Sequence, residues 1–237
     1  MDTIAASLRL ALDLIAQADA RLLEIVSLSL RVSTSACLFA ALAGLGAGAF
    51  LAAVPFPGRR VAVWFVNTML ALPPVVVGLV VYLMLSRSGP LGRFGILFTP
   101  AAMVVAQTVL LLPLIAALAR RLVVDALAEG GEQLRSLGAS PLTAALLMLV
   151  HQRAGVLTVL LTAFGRAVAE VGAVMIVGGN IEGATRVMTT AIALETSKGD
   201  LPLALALGIV LLSVVGLVNL LVAALQAGGN PEREALA

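Results

Sequence analysis

From Glu129 to Pro141 the chain reads EGGEQLRSLGASP, a run of charged residues and glycines set between long apolar segments. A polar stretch of this kind in a mostly apolar chain has to lie in water or against another protein, because the bilayer core offers its backbone and charges no partners. The flanking apolar runs then read as membrane-spanning helices and the stretch itself as a loop that joins two of them. Locally, Glu132 to Leu137 predicts a short helix, stopped by Gly138 in the left-handed conformation that glycine adopts cheaply. Ser140 as N-cap and Pro141 at the first helical position predict that a second helix starts at once. The result is a helical elbow that displays Glu132 and Arg135 to solvent.

Composition agrees with a membrane scaffold. Of 237 residues, 61% are hydrophobic and only 12% charged, where soluble domains carry roughly 25%. The mean hydropathy is +1.10. Fifteen basic and 13 acidic residues are spread along the chain without a long basic run, which argues against a nucleic-acid partner. The single cysteine, Cys37, lies within an apolar run and has no intrachain partner to oxidise with. The first residues lack the basic, apolar and small-residue succession of a signal peptide, so the apolar runs themselves are expected to direct insertion.

Outward from the loop, five spans are predicted, each long enough at about 1.5 Å per residue to cross a hydrocarbon core of ~30 Å. They are Val32 to Val54, Val61 to Leu85 with a kink at Pro73 and Pro74, Ile96 to Ala119, Ala154 to Val177, and Leu201 to Leu225. Residues 3 to 24 intersperse Arg9, Asp13, Asp19, Arg21 and Glu24 among alanines and leucines, which predicts an amphipathic helix in the membrane interface. The doublets Arg59-Arg60 and Arg120-Arg121 press against span ends, where basic residues mark the cytoplasmic side. They put the N-terminus outside and the C-terminus inside the cell.

The loop carries a family resemblance. It resembles the EAA loop of type I ABC importer permeases, with Glu132 and Gly138 at the family spacing, although Gln133 and Leu134 replace the two alanines and Met148 to His151 stands where Ile-x-Leu-Pro is usual. The similarity runs from about Ser29 to Leu225. Its most distinctive parts are Phe164 to Gly172 and Gly178 to Ile192, which resemble oxyanion permeases for molybdate, tungstate and sulfate; the wording EVGAVMIVGGN and TRVMTTAIALET resembles the tungstate branch. The resemblance implies an all-α membrane protein of the MetI-like permease fold with about five transmembrane helices and an N-terminal interfacial helix. The organisation would be 1–24 interfacial, 25–226 permease domain with a coupling loop at about 125–150, and 227–237 polar tail. It further implies a homodimer in the inner membrane, two ATP-binding cassette subunits docked on the Glu132 loops, and an external oxyanion-binding protein. The substrate would be tungstate, with molybdate or sulfate in the same machine as alternatives. A self-sufficient secondary transporter is the alternative from another class.

The residues themselves add limits. There is no Gly-x4-Gly-Lys-Ser/Thr, so ATP and Mg belong to the partner ATPase and no cofactor is expected on this chain, which reads as a transport subunit and not an enzyme. The glycine run Gly44, Gly46, Gly48 lacks the lysine and strand of a nucleotide loop and reads as a helix-packing face. His151, the only histidine, has no ligand partner at metal spacing, and no metal site is expected. The coupling set is Glu132, Arg135, Gly138, Ala139, Ser140 and Pro141. Arg166 and Glu170, four apart in the fourth span, are expected to share a helix face as an intramembrane ion pair that fixes packing or couples the loop to the gate. Gly178, Gly179, Asn180, Thr185, Thr189 and Thr190 gather neutral donors at the outer end of that span and form the candidate gate, because weak neutral donors let a dianion pass without trapping it.

Overall fold

A computed structural model describes residues 2–228, with side chains from 6 to 226. Those residues form ten α-helices, one short 3-10 turn at Gly92–Phe94, and no strand. The helices are α1 (Asp2–Ala16), α2 (Ala20–Ala53), α3 (Arg59–Met69), α4 (Pro74–Leu85), α5 (Pro100–Ser136), α6 (Pro141–His151), α7 (Arg153–Val168), α8 (Gly172–Gly178), α9 (Met188–Lys198) and α10 (Leu201–Gly228). Among them α2, α5 and α10 are long and apolar enough to cross a membrane, and the number rises to five if the bent pairs α3 with α4 and α6 with α7 each make one span. This is an all-α membrane protein.

Several boundaries differ from those expected. The amphipathic segment 3–24 is not one helix: α1 stops at Ala16, Ala18 takes a positive φ of 50°, and Asp19 caps a new helix by accepting from Leu22 N at 3.0 Å. Arg21 and Glu24 therefore belong to α2. The double proline does not kink a single helix. Here α3 ends at Met69 and Pro74 opens α4 at its first position, where a missing N–H leaves nothing unsatisfied. The helix of the third span does not end at Ala119; α5 runs on through Arg120 and Arg121 to Ser136, with Pro113 inside it. The fourth span is broken, since α7 ends at Val168 and Ala169 to Val171 separate it from α8. Most of the polar tail, 229–237, lies outside the described residues.

The chain divides into two compact units, one of residues up to 36 with 73–107 and 165–217, the other of 37–72, 108–164 and 218 onward. In the second unit the glycine run does pack helices. A Cβ on Gly44 would stand 2.9 Å from Ile115 Cγ2, and one on Gly48 would stand 2.7 Å from Ala116 O and 2.8 Å from Ala119 Cβ, whereas nothing lies within 4 Å of Gly46. Small residues at two of three positions thus let α2 and α5 approach backbone to backbone. Below this contact Ala49, Ala52, Val123 and Ala145 form a core on which Leu127 and Leu149 pack. Arg59 closes the end of α2: its guanidinium donates to Leu51 O at 2.8 Å and Ala52 O at 2.6 Å, which satisfies carbonyls that have no intrahelical partner.

In the first unit α4 and α8 pack equally closely, with a Cβ on Gly78 falling 2.8 Å from Ala173 Cα. Ser29 of α2 accepts from Met188 N at 2.7 Å, which fixes the start of α9. From the α2–α5 contact, Gly48→Ala is expected to destabilise the protein by about 1–3 kcal/mol through overpacking. Gly46→Ala is expected to be neutral or to stabilise by up to about 1 kcal/mol through helix propensity. Thermal unfolding of the two variants in detergent measures the difference.

Candidate functional site

The predicted elbow is present. The last turn of α5 closes with Gly138 N donating to Arg135 O at 2.9 Å and Ala139 N to Leu134 O at 3.0 Å, around Gly138 at φ +84°. Those two bonds are the 5→2 and 6→1 bonds of a Schellman stop. Ser140 then caps α6, its Oγ accepting from Thr143 N at 3.2 Å, and Pro141 is the first residue of α6. Loop length between α5 and α6 is thus spent almost entirely on one stop and one start, which leaves the elbow little freedom.

Glu132 and Arg135 are exposed. Arg135 Nε donates back to Gly131 O at 3.3 Å, so its guanidinium is held over the last turn. It borders a cleft of about 330 Å3 with Ala52, Ala53, Leu127 and Ala144. A residue not singled out from the sequence sits at the tip: Leu137, 83% exposed, an apolar knob at the turn. A second hollow, of about 360 Å3, lies on the elbow between Gly130, Gln133, Leu134, Leu147, Met148 and His151. Through Ala145 and Leu149, α6 packs into the alanine core of α2 and α5. The elbow is therefore mechanically continuous with membrane-spanning helices of its own unit.

In the other unit, the residues of the candidate gate surround α8 and the start of α9. Gly179 ends α8 at φ +72° and Asn180 follows at φ +52°. Gly178 is tightly packed, since a Cβ would stand 3.0 Å from Met103 Sδ. The hydroxyls are spent on the protein's own backbone. Thr185 Oγ1 donates to Gly178 O at 2.6 Å and accepts from Ile181 N at 2.9 Å; Thr189 Oγ1 donates to Glu170 O at 2.8 Å; Thr190 Oγ1 bonds Val187 N and O, each at 3.1 Å. Asn180 Nδ2 reaches Thr190 O at 3.4 Å, while its Oδ1 is buried without a partner. The six residues come together, but as a hydrogen-bonded brace and not as a ring of free donors.

The Arg166–Glu170 ion pair does not form. The i, i+4 relation needs a continuous helix, and α7 ends at Val168. Arg166 is exposed, Glu170 is 8% exposed, and the Glu170 carboxylate accepts from Ala173 N at 3.2 Å instead. The Glu170 carbonyl, freed by the break, is taken by Thr189, and Ala167 O, which accepts from Glu170 N at 3.2 Å, also accepts from Gln107 Nε2 at 3.0 Å. Gln107 was visible only as a polar residue at the centre of a span.

The sequence reading missed a charge cluster in the same unit. Glu195, 2% exposed, sits among Arg21 (3.0 Å), Lys198 (3.4 Å) and Arg186 (3.7 Å). Glu182 holds Arg21 at 2.9 Å and Arg186 at 3.2 Å. The spacing of Glu195 and Lys198 within α9 is a helical-neighbour spacing and was legible, whereas Glu182 and Arg186 lie in the turn before α9. Arg21, 174 residues from Glu195, carried no such signal. Neutralising Glu195 leaves Arg21 and Arg186 with Glu182 and Lys198 half-exposed, so Glu195→Gln is expected to cost about 1–3 kcal/mol through the buried hydrogen bonds it loses. Glu182→Gln, on the solvent side, is expected to cost at most about 1 kcal/mol; thermal unfolding compares them.

No family model matches the chain. Individual relatives do, over most of its length. It is 40% identical to the tungstate uptake system permease protein TupB of Peptoclostridium acidaminophilum over 226 residues, 95% of this chain and 99% of that protein. It is 42% identical to a probable anion ABC transporter permease protein of Haloferax volcanii, over 84% of this chain and 88% of the relative. It is 31% identical to the molybdenum transport system permease protein ModB of Escherichia coli K12, over 75% and 82% respectively. Taken with the helical, multi-pass architecture, this similarity places the chain in the oxyanion permease family of ABC transporters, on the branch that holds the tungstate uptake permeases.

Proposed function

We propose that this permease carries tungstate inward, driven by two ATPase subunits docked on the elbow at Gly138 of two copies of the chain. The observation that carries the reading is the elbow itself: exposed, stopped and restarted within a few residues, and packed through α6 onto α2 and α5. A rigid, water-facing bend of this kind can pass a push from a soluble motor to the helices behind it, and nothing in this polypeptide binds nucleotide by a P-loop. One elbow per chain and two ATPase sites call for a homodimer.

In this reading Glu132, Arg135, Gly138, Ala139, Ser140 and Pro141 form the docking surface, with Leu137 as its apolar tip. ATP and Mg act in the partner subunits. The elbow faces the cytoplasm with the C-terminus, and the N-terminus lies outside. An external oxyanion-binding protein delivers the substrate, and closure of the ATPases alternates the permease between inward- and outward-open states. The brace of Gly178, Gly179, Asn180, Thr185, Thr189 and Thr190 is the gate that this cycle opens. The named substrate of relatives at 40–42% identity supports tungstate over molybdate or sulfate.

Two measurements test the proposal. Proline cannot adopt φ +84°, so Gly138→Pro is expected to abolish copurification of the ATPase while the chain still inserts in the membrane. Uptake by the assembled complex is expected to favour radiolabelled tungstate over molybdate and sulfate. Preference for either competitor refutes the substrate. Solute movement driven by a proton or sodium gradient through the purified chain alone refutes the mechanism.

A further inference from the structure

Two broken segments of the unit that holds 73–107 and 165–217 meet at one place. α4 starts at Pro74, the second residue of the double proline, and α8 starts at Gly172 after Ala169 to Val171. A Cβ on Gly172 would stand 2.7 Å from Val75 Cγ2, 3.4 Å from Val75 N and 3.6 Å from Glu170 Oε1. The Glu170 carboxylate therefore lies next to Gly172, where the first turn of α4 reaches the break before α8. Irregular backbone at membrane depth is tolerated only inside protein or along an aqueous path, and discontinuous helices are where transporters place such paths.

The local structure does not require the charge of Glu170. Its carboxylate accepts one backbone N–H, from Ala173, which a neutral amide would cap as well. The carbonyl of Glu170 is satisfied by Thr189, and Ala167 O by Glu170 N and Gln107. Among the described residues no basic nitrogen comes within 4.0 Å of it, since the ion pairs join Arg21, Arg186 and Lys198 to Glu182 and Glu195. A carboxylate that is 8% exposed and without a cation is costly to bury. In a permease whose cargo is an anion, it also repels the cargo.

We infer that Glu170 is a charge gate: a fixed negative charge at the meeting point of the two broken segments that bars oxyanions in this conformation and is drawn aside when the cycle opens the path. The inference rests on the oxyanion-permease reading above. Its distinguishing property is selectivity by charge. A plug that merely fills space holds back neutral and charged solutes alike, whereas a carboxylate holds back anions.

The test uses the complete complex of permease, ATPase and binding protein in liposomes loaded with tungstate and sucrose, without nucleotide, with assembly checked by copurification of the ATPase. Glu170→Gln is expected to raise tungstate efflux at least about tenfold, the scale of a like-charge repulsion at a few ångströms in a medium of intermediate dielectric, with sucrose retained. Glu170→Asp keeps the charge and is expected to stay tight. Tungstate retention by Glu170→Gln overturns the inference, as does joint loss of tungstate and sucrose, or equal leakage from Glu170→Asp. If Glu170→Gln fails to assemble, Glu170→Asp against Glu170→Asn makes the same comparison at a shorter side chain. Absence of ATP-driven tungstate uptake by the unaltered complex is a separate result, which refutes the transport reading and not the gate.

Discussion

Every backbone amide and carbonyl in a membrane segment must find a partner inside the protein, and the details of this structure follow from where that rule is under strain. The long helices α2, α5 and α10 depart from it only locally, where Arg59 takes the end carbonyls of α2 and where Pro113 removes a donor from α5. The strain falls at two breaks, Leu70 to Pro73 and Ala169 to Val171. At the first, Pro74 has no N–H to lose. At the second, Thr189 brings a side chain from α9 to the freed carbonyl of Glu170, and Gln107 of α5 adds a donor to Ala167 O, which already accepts from Glu170 N. A threonine at the start of a short helix thus answers a problem posed by a helix that stops within an apolar run.

Close approach is the second constraint, and glycine supplies it. With hydrocarbon around them, helices gain nothing from burying leucine against leucine, so contact depends on how near the backbones can come. Gly44 and Gly48 permit this for α2 against α5, and Gly78 for α4 against α8. Gly138 is different in kind: nothing crowds it, and its positive φ is what matters. There the glycine ends a helix, and the second limb of the elbow can turn back onto the alanine core of α2 and α5. The same residue type serves packing in one place and chain reversal in another, and only the backbone angle tells the two apart.

Charge is distributed by a similar logic. Glu195 is buried because three cations surround it, and Arg59 is anchored because α2 offers two carbonyls at its end. The doublet Arg59-Arg60, read as a marker of sidedness, includes a helix cap. Glu170 differs from both: it is buried with a single amide for company, and this asymmetry makes it the residue whose charge calls for a role beyond holding the fold.

By itself the sequence determined what depends on neighbours along the chain. Hydropathy and length gave away the helical membrane class; Gly138, Ser140 and Pro141 specified the elbow, because a left-handed stop and an N-cap act over a few residues; and the wording around Glu132 and from Glu170 to Ile192 carried the family. Only the tertiary structure decided where helices really end, since a proline pair or the short run after Val168 can kink a span or break it, according to whether a distant group such as Thr189 stands ready to take the freed carbonyl. The same holds for Arg21 beside Glu195 and for the lost Arg166–Glu170 pair. Each depends on a partner far away in sequence or on a helix that did not continue, and no local pattern encodes either.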